Sequence, residues 1–154
     1  MSGNIVAFWR GGIMTGFGPG RHVYFLHHFH IVWVTKYRQD ILKGDISINL
    51  REIIRKICLK ESATIMKGLI SKDHVRLFLS LQPKTSVDEL VRKLKNTSSL
   101  LLRRDFPSLE TRLGKGDVWA KGYLSHSSGD VTGEMISGYI ERQGQDEDDG
   151  FTIG

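Results

Sequence analysis

Cysteine is nearly absent from this chain. Cys58 is the only one in 154 residues, which excludes an internal disulfide and a thiolate zinc cluster and makes a reducing, cytoplasmic setting the simplest expectation. No apolar run approaches the roughly 18 residues of a membrane span, so no membrane partner is expected. Proline occurs three times, and two of these, Pro83 and Pro107, stand where a periodic segment stops. Acidic residues are also in short supply. There are 17 Asp+Glu against 22 Lys+Arg, and four of the acids sit together as Asp146, Glu147, Asp148 and Asp149. Without that cluster 22 basic residues face 13 acidic ones, so the folded part is distinctly basic and suits a polyanionic partner. What is present is ordinary for a globular domain: 40% hydrophobic and 25% charged residues, with no internal repeat and no internal linker. One domain is expected over residues 21–144, with a glycine-rich flexible leader over 1–20 and an acidic tail over 145–154.

The segment from Tyr24 to Thr35, YFLHHFHIVWVT, is rich in β-branched and aromatic residues and lacks Gly and Pro. It predicts a long strand, apolar on both faces. From about Ile46 to Glu61, Leu50, Ile53, Ile54, Ile57 and Cys58 recur at helical spacing, with Arg51, Arg55, Lys56 and Lys60 on the other side. Ala63 to Ser71 and His74 to Leu81 read as two strands joined by a tight turn at Lys72-Asp73. Ser86-Val-Asp-Glu89 has the form of a capping box and opens a helix that Pro107 ends. Its Val87, Leu90, Val91, Leu94 and Leu101 are expected inward, and Arg92, Lys93, Lys95, Arg103 and Arg104 mostly outward. DVWAKGYLSHSS reads as a fourth strand interrupted at Gly122, and a last helix is expected from about Thr132 to Gln143. The order β-α-β-β-α-β-α contains the split βαβ pattern of a ferredoxin-like α+β fold: an antiparallel sheet with helices on one face, plus an extra C-terminal helix that carries a tyrosine.

Three places could carry chemistry. In HHFH, His28 and His30 project to one strand face and could chelate a metal, though histidines lining a half-exposed sheet are the plainer reading. On the His74 strand, alternation puts His74, Arg76, Phe78 and Ser80 on one face and Val75, Leu77 and Leu79 on the other. On the last helix, Tyr139 and Gln143 are one turn apart and share a face. A tyrosine packing its ring on the sheet is the bland alternative, while a nucleophilic phenol with a nearby divalent metal, ligated by an amide oxygen, is the chemical one.

Taken together, FHIVWVTKYR, then DHVRLFLSLQPKTSVDELVRKLKNTSSLLL, then DVWAKGYLSHSS, then ISGYIERQ closely resemble the small single-tyrosine transposases of bacterial insertion sequences, the IS-two-hundred type within the HUH nuclease superfamily, where U is a hydrophobic residue. The resemblance spans about Arg21 to Gln143, in order. It implies a ferredoxin-like homodimer that binds single-stranded DNA hairpins at element ends. It also implies cleavage and rejoining of strands through a 5′-phosphotyrosine, assisted by Mg or Mn. By the same resemblance Tyr139 is the nucleophile, and His74 and Gln143 are metal ligands. His28 and His30 lie where the family places no metal. Lys36, Tyr37 and Arg38, with Lys95 on the basic helix face, are expected to contact DNA.

The sequence departs from the pattern at Arg76, which occupies the position of the second histidine. A guanidinium has no lone pair to offer and stays protonated, so Arg76 is not expected to ligate, and its fixed charge opposes a divalent cation beside His74. The expectation is a metal site weakened or lost and strand cleavage impaired, unless the guanidinium itself clamps the phosphate. The rival readings are a catalytically inactive hairpin-binding protein on the same fold, a replication initiator or relaxase of the same superfamily, and a metal-free protein-interaction domain.

Overall fold

Strand β1, His27–Val34, alternates two apolar sets. Ile31 and Trp33 enter the main core on one side, and Val32 and Val34 enter a second cluster on the other. This is the two-faced burial expected of a central strand, and β1 does pair on both sides, with His74–Leu81 and with Leu124–His126. In the computed structural model, which describes residues 27–127 and 136–142, the remaining elements follow in chain order. They are α1 (Gly44–Lys60), β2 (Thr64–Ile70), β3 (His74–Leu81), α2 (Val87–Asp105), α3 (Leu109–Leu113) and β4 (Leu124–His126), with residues 136–142 helical at the end. The sheet runs β2-β3-β1-β4, and every pairing is antiparallel. This is the order of a ferredoxin-like α+β sheet, in agreement with the sequence.

The helices divide between the two faces. Leu50, Ile53, Ile54 and Cys58 of α1 and Leu90, Val91, Leu94 and Leu102 of α2 share one cluster with Ile31, Trp33, Val75, Leu77, Leu79 and Leu81. The opposite face receives the C-terminal helix, whose Ile136 and Tyr139 pack on Val32, Val34 and Ala120. At the start of α2 the Ser86 hydroxyl accepts a hydrogen bond from the Glu89 amide at 3.2 Å, the hydroxyl half of the capping box.

One expectation is refined and two are corrected. The fourth strand breaks at Gly122 as expected, where φ is 83, and its parts are short: Leu124–His126 and an isolated bridge between Thr35 and Trp119. Short helix α3, between Pro107 and Gly114, was not foreseen. Lys95 does not face outward as a DNA contact. Its side chain is buried, and its ammonium donates to the carbonyls of Ala120 at 2.8 Å and Gly122 at 2.7 Å. The leader, the acidic tail and Gln143 lie outside the described residues.

Candidate active site

Strand β3 alternates as its sequence requires. Val75, Leu77, Leu79 and Leu81 are buried, while His74, Arg76 and Phe78 are half-buried on the other face. In the register with β1, His74 lies opposite Val34 and Arg76 opposite Val32. Those two valines belong to the buried cluster that Tyr139 joins. Within a single chain, therefore, the C-terminal helix rests on the sheet face that carries His74 and Arg76, one strand away from both. Three of the sequence-predicted site residues are gathered by this arrangement.

His74 is held from behind. Its Nδ1 lies 2.8 Å from the carboxylate of Asp73, whose second oxygen pairs with Arg38 Nε at 3.4 Å. An acceptor on Nδ1 places the proton there and presents Nε2 with its lone pair outward, as metal or phosphate chemistry would need. Asp73 is itself buried, and its carbonyl accepts from the Thr35 amide at 2.9 Å. Sequence reasoning did not assign Asp73. The available signal was an acid directly before the histidine.

Thr35 to Arg38 therefore does more than offer cations. Thr35 is fully buried between Asp73 and the following turn, and its hydroxyl donates to the Gln39 carbonyl at 2.8 Å. In the tight turn Lys36–Arg38, Tyr37 and Arg38 both adopt left-handed backbone, at φ 56 and 53. Two successive non-glycine residues in that region store strain. The turn leaves the Tyr37 ring 46% exposed. Lys36 Nζ sits 5.2 Å from that ring and donates to the Lys115 carbonyl at 3.0 Å. Of the expected DNA contacts, Tyr37 and Arg38 are exposed on this turn and Lys36 is half-buried.

The Trp119 segment supports the site from the far side. Trp119 donates its indole N–H to Ser98 Oγ at 2.9 Å and meets Trp33 edge-to-face at 5.8 Å, while Ser99 Oγ accepts the Val118 amide at 2.9 Å. Together with Lys95, these bonds fasten residues 118–122 to α2. The Ala120 amide donates to the Val34 carbonyl at 3.0 Å, and Ala120 joins the buried cluster that holds Tyr139.

Tyr139 itself is 3% exposed, and its hydroxyl has no hydrogen-bond partner among the described residues. Burial raises its pKa well above the ordinary phenol value. In this arrangement the phenol is a packed, protonated side chain.

The donors beside His74 among the described residues do not make up the divalent-metal site that the resemblance implies. Among the described residues, no group of three or more His, Cys, Asp or Glu side chains could hold a metal ion. Beside His74 the matching face of β3 offers a guanidinium, which cannot donate an electron pair. His28 and His30 are occupied differently: both lie against Phe78, His30 stacked at 4.4 Å and His28 edge-on at 5.5 Å. Burial first, and the neighbouring His27 next, lower the pKa of His28.

Comparison with known proteins gives a consistent result. The sequence model of the family described as "Transposase IS200 like" matches residues 23–143. The chain is 29% identical over 124 residues to the ISDra2 transposase TnpA of Deinococcus radiodurans, covering 80% of this chain and 89% of that one. It is 31% identical over 115 residues to the transposase for insertion sequence element IS200 of Salmonella typhimurium, covering 75% of each. A crystal structure from Deinococcus radiodurans R1, described as a candidate transposase, superimposes with a TM-score of 0.74 at 27% identity, over 82% of this chain and 98% of that one. No helix among the described residues is long and apolar enough to cross a membrane.

Proposed function

The chain belongs to the IS200-like transposase family, and on that premise we propose that it binds single-stranded DNA hairpins at insertion-sequence ends as a homodimer, with its own strand cleavage impaired by Arg76. The observation that carries this reading is the shared sheet face: Tyr139 lies in one buried cluster with Val34 and Val32, the two residues opposite His74 and Arg76. In the reaction the Tyr139 oxygen attacks a backbone phosphorus. A tyrosine–phosphate bond forms, the bond to the 3′ oxygen breaks, and that oxygen leaves with a proton. The phosphotyrosine keeps the energy of the original linkage, so a later 3′-hydroxyl can reverse the step and rejoin strands.

This chain's residues supply part of what that step needs. His74, oriented by Asp73, presents Nε2 toward the phosphate. Arg76 contributes fixed positive charge and hydrogen-bond donors but no electron pair, so metal assistance is withdrawn. Tyr139 must leave its apolar seat before its oxygen can reach a phosphorus, because a buried phenol with a raised pKa is a poor nucleophile. The C-terminal helix therefore lifts from the sheet, within the chain or in exchange with the second subunit.

The test is a nicking assay on single-stranded hairpin DNA with Mg or Mn. The chain as it stands is expected to cut weakly, Arg76→His to cut about 10- to 100-fold faster, and Tyr139→Phe in the histidine background not at all. Fast metal-dependent nicking without the histidine would refute the impairment. Hairpin binding with no rescue by histidine would leave a DNA-binding protein without cleavage.

A further inference from the structure

Beside the C-terminal helix the same sheet face opens into a groove of about 330 Å³, whose lining includes Lys67, Leu69, Arg76, Phe78, His30 and Ile136. Its chemistry is one-sided. Lys67 and Arg76 bring two cations and no acidic residue lines it, and Arg76 makes no ion pair among the described residues. The register explains the convergence: Lys67 lies opposite Phe78 and Leu69 opposite Arg76, so the cations and the ring project from neighbouring strands to one face. A bulge between Ile65 and Lys67 sets this register, and Lys67 and Leu69 are exposed on the edge strand. Phe78, half-buried and stacked with His30, is part of the lining.

A planar aromatic ring lining the same groove as a guanidinium and an ammonium matches a nucleobase with its phosphate. Guanidinium binds phosphate bidentately without a metal, and aromatic side chains stack on bases of any sequence. We propose that this groove is a divalent-independent binding site for a short segment of single-stranded DNA, with a base against the Phe78–His30 stack and its phosphate on Arg76 and Lys67. The proposal rests on the transposase reading for its choice of nucleic acid. It assigns Arg76 a positive role: the residue that removes a metal ligand supplies a permanent anion site in the same place.

Fluorescence anisotropy with the full chain and a labelled short oligothymidylate, which forms no hairpin, tests this in EDTA and in Mg. Affinity is expected to be equal in the two. Arg76→Gln, Lys67→Gln and Phe78→Leu should each weaken it by about tenfold, while Lys56→Gln, an exposed cation of α1 outside the groove, should change it less than about twofold. Arg76→Lys should recover part of the loss. A measurement free of any variant is the backbone amide NMR shift of Gly68 and Leu69, which should move on addition of the oligonucleotide. Binding that requires Mg, binding indifferent to the three groove variants, or unmoved Gly68 and Leu69 amides would each overturn the proposal. Failure of the transposase reading would appear elsewhere, as loss of hairpin binding and no gain of nicking by Arg76→His.

Discussion

Asp73 is used at both ends. Its carboxylate bridges His74 and Arg38, and its backbone carbonyl receives the Thr35 amide. The two side-chain contacts differ in worth because they differ in exposure. The His74 contact is nearly closed to water, while Arg38 is 42% exposed in its side chain, and exposed ion pairs contribute about 0–1 kcal/mol. Asp73→Ala is therefore expected to cost about 1–3 kcal/mol in urea denaturation, and Arg38→Ala less than about 1 kcal/mol. Equal losses for the two would show that Arg38, not His74, is the partner that matters. Lys95 teaches a related lesson. It falls four residues after Val91 and three, four and seven before Ser98, Ser99 and Leu102, all of them buried. The helical period pointed inward, and reading the charge as a surface marker hid it. A long side chain can bury its stem and still satisfy its ammonium on carbonyls, here those of Ala120 and Gly122.

At the scale of elements, the parts with a strong period were legible. Strand β3 runs over the residues that alternation indicated, and β1 is apolar on both faces as its composition required. Very short elements were not. Helix α3 is only five residues long, too short to show a period, and although the break at Gly122 was expected, the sequence did not show how little strand is left on either side of it. His74, Arg76 and Tyr139 come to one sheet face, but the supports around them were not legible: Ser98 and Ser99 act through contacts with a segment distant in sequence, and Asp73 reaches Thr35 and Arg38 in the same way. The turn Lys36–Arg38 shows how sequence and geometry can disagree usefully. Its left-handed Tyr37 is a position that glycine would occupy with less strain, which points to retention of the exposed ring for contact. Tyr37→Gly should leave thermal stability unchanged or raise it by up to about 1 kcal/mol, while weakening single-stranded DNA binding. A clear loss of stability would instead assign the ring to holding the turn.

For the whole molecule, two buried acids of unusually high pKa set the alkaline limit. Burial raises the Cys58 thiol from 9.0 to about 11 and raises the Tyr139 phenol above its usual 10.0. Both groups hold their protons more tightly when folded. The stability they contribute is fully present below the unfolded values and is lost as pH rises through the folded ones. The melting temperature should stay level from neutral pH to about 9 and fall beyond it. Cys58→Val should postpone the onset toward the phenol's range, and an unchanged onset would remove the thiol from the account. The position of Arg76 has a different kind of consequence. Strand β3 is hydrogen-bonded to neighbours on both sides, and the side chain at 76 is half-buried outside both hydrophobic clusters. The scaffold is thus nearly blind to which residue stands there. Selection for a folded protein cannot preserve a ligand that folding does not use, so at this position the chemistry can drift, be lost or be regained while the architecture persists.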